Sequence, residues 1–187
     1  MANPDRPIVG RRRVYEGQVI NLRVDTVAIP GGGTHDFEIV EHRGAVAVIP
    51  MDDAGNVYLI RQYRDAVQDH LLEIPAGGLE PNESPLECAR RELQEEIGLY
   101  PEQIEELGRF YLTPGYSTEL LTLYLARKLR PSPLHSEVDE AIVGVEQMPL
   151  QQALRFVMAR EIRDAKTILG LLWAAAGLGI TPPAGAG

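Results

Sequence analysis

One segment, Gly77–Leu99, constrains this chain more than any other, because it places three carboxylates together on a predicted helix. With helical spacing, Glu92 and Glu96 are i,i+4 neighbours, and Glu95 lies beside them. Like charges at these spacings destabilise a helix, and the negative end of the helix dipole is close by. A hard divalent cation such as Mg2+, which prefers carboxylate oxygens and water, would turn this repulsion into binding.

The ends of this helix are marked clearly. Ser84 begins a capping box that Glu87 completes, and Pro85 suits the first helical position. Gly98 suits a left-handed cap at the other end. The residues of an apolar stripe that would face the core are Leu86, Ala89, Leu93 and Ile97. Because the stripe and the acidic face differ, one helix can anchor itself and still present metal ligands.

The spacing of this segment also matches a known family. Gly77, five residues, Glu83, seven residues and then Arg91–Leu99 resembles the Nudix box at every defined position. The resemblance implies hydrolysis of a nucleoside diphosphate linked to another moiety. It also implies that the three glutamates ligate Mg2+, with Mn2+ as a substitute, and that the carbonyl of Ala76 completes the metal shell. Glu83 would pair with Arg91 and brace the loop.

A second feature narrows the branch of the family. Pro114 lies sixteen residues after Gly98, within the segment Tyr111–Ser117. This resembles the proline signature of the ADP-ribose pyrophosphatase group, and the similarity extends from about Val14 to the helix near Ala176. A plain turn between strands is the alternative interpretation of the Pro-Gly step.

The same resemblance suggests residues that bind the nucleotide. Phe37 would stack on an adenine and Glu38 would hydrogen-bond to it, although Phe37 also has the spacing of a core residue. Tyr116 and Ser117, just after Pro114, would line the terminal-ribose side of the site.

Two charged residues are candidates for the diphosphate end. Arg64 can grip phosphate oxygens with two parallel hydrogen bonds, or it can simply pair with a surface acid such as Asp65. Glu73 precedes the glycine turn and would contact substrate or order the metal shell. A purely structural role for Glu73 is the alternative.

The catalytic base is left open by the sequence. In similar enzymes a loop glutamate positions or deprotonates the attacking water, and Glu140 matches that position and would also reach the metal. The family often carries another acid two residues earlier, where this chain has Val138. Glu137 or Asp139 would then substitute, unless the whole loop is only a solvated acidic surface.

Composition excludes several classes of function. The net charge of −9 argues against general nucleic-acid binding, which relies on lysine and arginine. The single Cys88 excludes an internal disulfide and fits a reducing compartment. The apolar run Ile168–Ile180 is shorter than the ~20 residues of a membrane span. These features predict a cytoplasmic protein that binds no membrane, with Cys88 as a small residue on the acidic helix.

The predicted fold is α/β: a mixed sheet with helices on its faces, which agrees with the Nudix α/β/α sandwich, plus an N-terminal region of antiparallel strands. The domain would span residues 9–180, between a flexible start at 1–8 and a flexible tail at 181–187. Residues 9–45 would form the N-terminal strands. By resemblance they form a dimerisation region, so a homodimer is expected.

The predicted elements follow from apolar periodicity and turn residues. Strands are expected at Tyr15–Ile29, Thr34–His42, Ala45–Met51, Asn56–Tyr63, Leu71–Pro75, Arg109–Leu112, Glu119–Ala126 and Ala141–Gln147. The first two would form a hairpin, and so would the next two. Ala76–Gly78 would be a sharp turn and Pro101–Leu107 a short helical turn. Besides the acidic helix, helices are expected at Pro149–Arg160 and Asp164–Ala176.

Three functions are compatible with these patterns. The first is Mg2+-dependent hydrolysis of ADP-ribose to AMP and ribose 5-phosphate by a metal-activated water. A second is the same reaction on another nucleotide sugar, such as an ADP- or GDP-hexose. The third is a non-catalytic module that binds ADP-ribose.

Overall fold

The structure is a computed structural model of the 187-residue chain, and it describes residues 6–132 and 142–183. The strands within these ranges are β1 (Ile8–Glu16), β2 (Ile20–Ala28), β3 (Thr34–His42), β4 (Ala45–Pro50), β5 (Asn56–Arg64), β6 (Asp69–Glu73), β7 (Ala76–Gly78), β8 (Leu99–Tyr111), β9 (Leu120–Pro131) and β10 (Ile142–Pro149). The helices are α1 (Pro85–Ile97), α2 (Leu150–Met158) and α3 (Ala165–Gly177). Two compact units are present. One contains the described residues up to Gly44 with Tyr111–Leu120, and the other contains Ala45–Phe110 with the described residues from Leu121 onward.

The first unit is built on an antiparallel sheet in the order β1-β2-β3. The predicted hairpin between β2 and β3 is confirmed, with Ile20 opposite His42 and Ala28 opposite Thr34. Its turn requires glycine, because Gly31 and Gly32 have φ values of 93° and 101°. The loop after β8 joins this unit, where Val40 forms a bridge with Ser117.

Strand β1 is the element of this unit that the sequence pattern did not separate. The predicted strand at Tyr15–Ile29 is interrupted, because β1 ends at Glu16 and β2 begins at Ile20. β1 is rich in arginine rather than apolar residues, so period-2 hydrophobicity does not mark it. Ion pairs with the neighbouring strands hold β1 in the sheet instead of apolar packing.

The second unit contains two sheets. One has the order β7-β4-β9-β8, with β4 parallel to β9 and antiparallel to β7. The other has the order β10-β5-β6, and its strands are antiparallel. Every residue of β4 is buried, as expected for a central strand covered on both faces.

Helices cover both faces of β4. On one face, Val46 and Val48 belong to a buried cluster with Leu93 of α1. On the other face, Ile49 lies against α3. A Cβ atom added to Gly170 of α3 would be 3.2 Å from the Cγ1 atom of Ile49. Because successive strand residues point to opposite faces, α1 and α3 lie on opposite sides of the sheet. The predicted α/β/α sandwich with a mixed sheet is therefore confirmed.

The predicted hairpin between the two central strands is wrong. β4 and β5 belong to different sheets and are joined by one bridge, between Met51 and Val57. The turn between them forms as expected, since the Asp52 carboxylate accepts hydrogen bonds from the Ala54 and Asn56 amides. A tight turn suits a hairpin but equally allows the chain to change sheets.

Two local predictions after β6 are also wrong. Ala76–Gly78 is not a free turn but strand β7, which pairs with β4. Pro101–Leu107 is not helical but lies within β8. The glutamates in this segment favour a helix, yet pairing with β9 prevails over that weak local preference.

The later helices and the role of Cys88 agree with the sequence. α2 lies within the predicted range Pro149–Arg160, and α3 lies within Asp164–Ala176 except that it ends one residue later. Asp164 caps α3 by accepting a hydrogen bond from the Thr167 amide. Cys88 is fully buried in the cluster under α1. Along the part of the chain that the structure describes, every helix is too short or too polar to cross a membrane. The boundaries of a domain at 9–180 stay a prediction.

Candidate active site

The acidic helix α1 is fixed at both ends as the sequence predicts. The Ser84 side chain accepts from the Glu87 amide while the Glu87 carboxylate accepts from the Ser84 amide, which is a complete capping box. Gly98 closes the helix in the left-handed region, with φ 67°. The apolar stripe is confirmed for its buried members Ala89 and Leu93, but Leu86 is exposed.

Arg91 is the centre of the charged face of α1. Its guanidinium binds Glu83 through two parallel hydrogen bonds of 2.8 and 3.0 Å, as the family resemblance suggests. It also lies 2.7 Å from a Glu92 carboxylate oxygen and 2.9 Å from one of Glu95. The carbonyl of Gly78 accepts a further hydrogen bond, of 3.2 Å. Arg91 thus ties the loop before α1 to the helix.

Glu92 occupies a space that only glycine leaves open. A Cβ added to Gly77 would be 1.9 Å from one carboxylate oxygen of Glu92. The side chain is nearly buried, and burial raises the pKa of Glu92 while the charge of Arg91 acts against this shift. The absence of a side chain at Gly77 therefore makes room for the Glu92 carboxylate.

Glu96 is a half-buried carboxyl next to another carboxyl. One of its oxygens accepts from the Ala76 amide at 3.0 Å. Burial and the neighbouring charge of Glu92 raise the pKa of Glu96 to about 8, although the Ala76 amide and the more distant charges of Arg64 and Lys166 oppose the shift. Ionised Glu96 is therefore costly in this position unless further positive charge arrives.

The structure brings the three predicted metal ligands onto one face but not into one shell. Among residues 6–132 and 142–183, no group of three or more Asp, Glu, His or Cys side chains is close enough to hold a metal ion. Arg91 pairs with Glu92 and Glu95 instead. Glu137 and Glu140 lie outside the described residues. The full ligand set, including the Ala76 carbonyl, stays a prediction.

The donor chemistry nevertheless fits a hard divalent cation. Glu92 and Glu96 supply carboxylate oxygens, which such cations prefer. Partial burial and the charge of Glu92 raise the pKa of Glu96, so a cation at this position would be stabilising. Gly77 keeps the backbone clear of the Glu92 carboxylate. Glu92, Glu95 and Glu96 would hold the ion, with Arg91 yielding its contacts to them.

A second charged cluster surrounds Glu73, which is 1% exposed. Arg64 binds its two carboxylate oxygens through hydrogen bonds of 2.9 and 2.8 Å, and Lys166 donates to the second oxygen as well. Burial alone would raise the pKa of Glu73, but the Arg64 hydrogen bonds and the Lys166 charge hold it below its usual value. Arg64 therefore pairs with an internal acid rather than with Asp65.

Lys166 is a residue that the sequence analysis missed. It lies in the first turn of α3, where a cation is unfavourable because the helix dipole is positive there. This unfavourable position was the one feature of the sequence that indicated a specific partner for Lys166. The partner, Glu73, is 93 residues away in the sequence, so no local pattern indicates it.

Three of the predicted nucleotide contacts meet in the first unit. Phe37, Pro114 and Tyr116 line one cleft of about 490 Å³. The Arg6 guanidinium lies 5.2 Å from the centre of the Phe37 ring. Glu38 follows Phe37 in β3 and therefore points to the opposite face, where it lines a second depression of about 350 Å³ that Phe37 and Tyr116 also border. Phe37 is half-buried rather than a core residue.

An ion-pair network forms the charged side of the same cleft. Asp25 is buried, and Arg11 binds it through hydrogen bonds of 2.6 and 3.0 Å. Arg23 also contacts Asp25 and pairs with Glu41, which in turn binds Arg13 at 2.7 Å. The hydrogen bonds from Arg11 lead the effects that keep the pKa of Asp25 low despite its burial. These pairs hold β1 against β2 and β3.

Comparisons with known proteins identify the family of this chain. The NUDIX domain matches residues 41–168 of the chain. An ADP-ribose pyrophosphatase of Bacillus subtilis (strain 168) is 36% identical over 168 residues, which cover 89% of this chain and 91% of the relative. A methanol dehydrogenase activator of Bacillus methanolicus is 38% identical over 160 residues, covering 85% and 86%. The chain belongs to the Nudix family of hydrolases.

A solved structure supports the same fold. The crystal structure of an ADP compounds hydrolase superposes with a TM-score of 0.83 at 21% sequence identity. The match covers 97% of this chain and 100% of that one. Enzymes of this family generally use a divalent metal ion.

Gly77→Ala tests the fit between β7 and α1. The new methyl group would overlap the Glu92 carboxylate, so we expect the free energy of unfolding to fall by about 1–3 kcal/mol, the usual cost of overpacking. Gly78→Ala is the matched control, since no atom lies within 4 Å of its added Cβ. Urea denaturation followed by circular dichroism measures both. Equal stability of the two variants would contradict the fit.

Glu96→Gln tests the half-buried carboxyl through pH. Because the pKa of Glu96 is about 8 in the fold against 4.5 for the unconstrained side chain, the folded state binds more protons between these values. The wild type should therefore lose stability as the pH rises from 4.5 to 8. Glutamine keeps the acceptor for Ala76 and removes this loss. In EDTA, the melting temperature of the variant should gain on that of the wild type between pH 5 and pH 8. A constant difference would refute the assignment.

Proposed function

We propose that this protein hydrolyses ADP-ribose to AMP and ribose 5-phosphate in a reaction that depends on Mg2+. The observation that carries the proposal is the pair of neighbouring carboxyls, Glu92 and Glu96, on the helix of an intact Nudix box. The B. subtilis relative, which is named an ADP-ribose pyrophosphatase, supports the choice of substrate. Pro114 at its spacing from Gly98 supports the same branch of the family.

The metal would supply the chemistry that the side chains lack. Bound Mg2+ would neutralise diphosphate oxygens and lower the pKa of a water molecule. Mn2+ has the same preference for oxygen ligands and would substitute for Mg2+. Glu92, Glu95 and Glu96, with the Ala76 carbonyl, are the ligands we propose. Holding charge at fixed positions is the main task of such a site in phosphoryl transfer.

Arg91 and Glu83 would fix the loop before α1, and Arg91 would also neutralise carboxylates of α1. The Arg91 guanidinium neutralises Glu92 and Glu95. Its two parallel hydrogen bonds to Glu83 would keep Arg91 in place when a metal ion takes over those carboxylates. The carboxylates then remain close to their binding positions without the full cost of mutual repulsion.

Arg64 is the residue that we assign to the diphosphate. Its Nε and one Nη atom bind Glu73, yet 37% of its side chain is exposed, so part of the guanidinium remains accessible. Arginine suits phosphate because its planar donors match two oxygens at once. Glu73 would orient Arg64 and would not itself contact an anionic substrate.

The cleft of the first unit is suited to a nucleoside. Phe37 and Tyr116 provide aromatic surfaces, on which base stacking is worth about 1–3 kcal/mol. Pro114 shapes the turn beside them, where the Tyr116 and Ser117 amides donate to the Thr113 carbonyl. Glu38 would accept hydrogen bonds from an adenine amino group.

Glu140 is our candidate for the base that acts on the attacking water, with Glu137 as the substitute. Both lie outside the described residues, and their role rests on the family resemblance alone. Glu140 would also contact the metal.

A substrate panel tests the function. ADP-ribose, ADP-glucose and GDP-mannose are incubated with purified protein and Mg2+, and the nucleotide products are separated by chromatography. We expect AMP from ADP-ribose with the highest kcat/KM of the panel. Glu96→Gln should lose at least about 10²-fold in kcat, because it removes a metal ligand and no core packing. A higher kcat/KM on a hexose substrate would instead favour a nucleotide-sugar pyrophosphatase. Tight ADP-ribose binding without turnover would favour a binding module.

We also propose that the protein is a homodimer formed through its N-terminal strands. β1 is an edge strand of its sheet, and Ile8, Val9, Val14 and Tyr15 are exposed along it. An edge strand carries unpaired backbone N–H and C=O groups and is a template for pairing with another chain. Since Cys88 is free and buried, we place this dimer in the reducing cytoplasm.

The dimer is tested by light scattering after gel filtration. The wild type should elute at twice the chain mass of 20.6 kDa, and Val9→Lys with Val14→Lys should shift it to the monomer. Val67→Lys is the matched control, because Val67 is as exposed as Val9, at 59%, but lies outside β1. A monomeric wild type, or a dimer that survives both β1 substitutions, would overturn the proposal.

A further inference from the structure

Two cations, Arg64 and Lys166, contact the buried Glu73 carboxylate, although one would balance its charge. Arg64 alone satisfies both of its oxygens with two parallel hydrogen bonds. Lys166 nevertheless reaches the same carboxylate, and its side chain is only 12% exposed. Burying an ammonium group costs free energy, so its position indicates a function other than closing one ion pair.

Lys166 is held in place by its own helix cap. Its Nζ atom lies 3.0 Å from Asp164, the residue that begins α3. Asp164 also accepts from the Thr167 amide and hydroxyl, at 2.9 and 2.6 Å. The Thr167 hydroxyl oxygen then accepts from the Ile74 amide at 2.9 Å. The start of α3 is thereby fastened to the residue that follows Glu73.

The charges of this network affect Arg64 directly. Arg64 and Lys166 are balanced by Glu73 and Asp164, so the cluster as a whole is neutral. Without Lys166 it would carry a net negative charge, and Arg64 would be the sole partner of the buried Glu73. Its guanidinium would then attract an anion less strongly and would be held more tightly by Glu73.

We propose that Lys166 is a positioning residue for substrate binding: by sharing the Glu73 carboxylate, it keeps Arg64 oriented and available to an anionic diphosphate. The inference rests on the proposed function, in which Arg64 contacts the diphosphate. Among the described residues, Lys166 pairs with Glu73 and Asp164, and its charge reaches Glu96 only from a distance. Its effect through Arg64 therefore belongs in KM rather than in kcat.

Steady-state kinetics of Lys166→Met test the inference, with whichever panel substrate the wild type hydrolyses. We expect KM to rise about tenfold, the usual weight of a hydrogen bond to a charged group, and kcat to change less than about threefold. Lys166→Arg keeps the charge and should restore KM. Arg163→Met is the matched control: it removes a cation just before α3 that pairs with the exposed Asp69 at 2.5 Å and does not contact Glu73. Its KM should equal that of the wild type.

A double-mutant cycle shows whether Lys166 acts through Arg64. Arg64→Ala should raise KM by itself, and adding Lys166→Met should change it little further, since the residue being positioned is gone. Lys166→Gln, which can still donate a hydrogen bond, serves if the methionine variant does not fold, and it should raise KM as well. An unchanged KM in the Lys166 variants, or additive effects in the cycle, would overturn the inference. Absence of turnover by the wild type on every panel substrate would instead refute the proposed function.

Discussion

The closeness of two carboxyls, the buried Glu92 and the half-buried Glu96, is the constraint on which this site depends. Glu92 fills the space that Gly77 leaves open, and Glu96 accepts from the backbone of Ala76, so both side chains join α1 to β7. Burial makes their charges expensive. Arg91 offsets part of that cost at Glu92, while Glu96 keeps a raised pKa. The fold thus maintains a deficit of positive charge where a divalent cation and a diphosphate would bind.

Local chemistry explains which parts of the fold the sequence predicts. The capping box at Ser84, the Gly98 cap and the glycine turn after β2 depend on residues within a few positions of one another. The separation of β4 and β5 into two sheets depends instead on β9, which pairs with β4 from more than seventy residues away. The same holds for β8, where pairing overrides the helical preference of its glutamates. Long-range pairing leaves little trace in a short sequence window.

The candidate site divides in the same way. The spacing of the Nudix box predicts the Arg91–Glu83 pair and the acidic face of α1, because a helix and one loop carry all of them. It does not predict that Arg91 also pairs with Glu92 and Glu95. Lys166 could not be found from spacing, since the sheet and α3 bring it to Glu73 from a distant part of the chain. A lysine at the positive end of a helix was its one local sign.

Metal binding by the α1 carboxylates is the central claim, and titration with Mn2+ followed by electron paramagnetic resonance tests it most directly. The signal of free Mn2+ should fall as the wild-type protein binds the ion at pH 8, with added nucleotide strengthening the effect. Replacing both Glu92 and Glu96 by glutamine should abolish this binding while the circular dichroism spectrum stays that of the folded protein. Equal loss of the free-ion signal with the folded double variant would contradict the account.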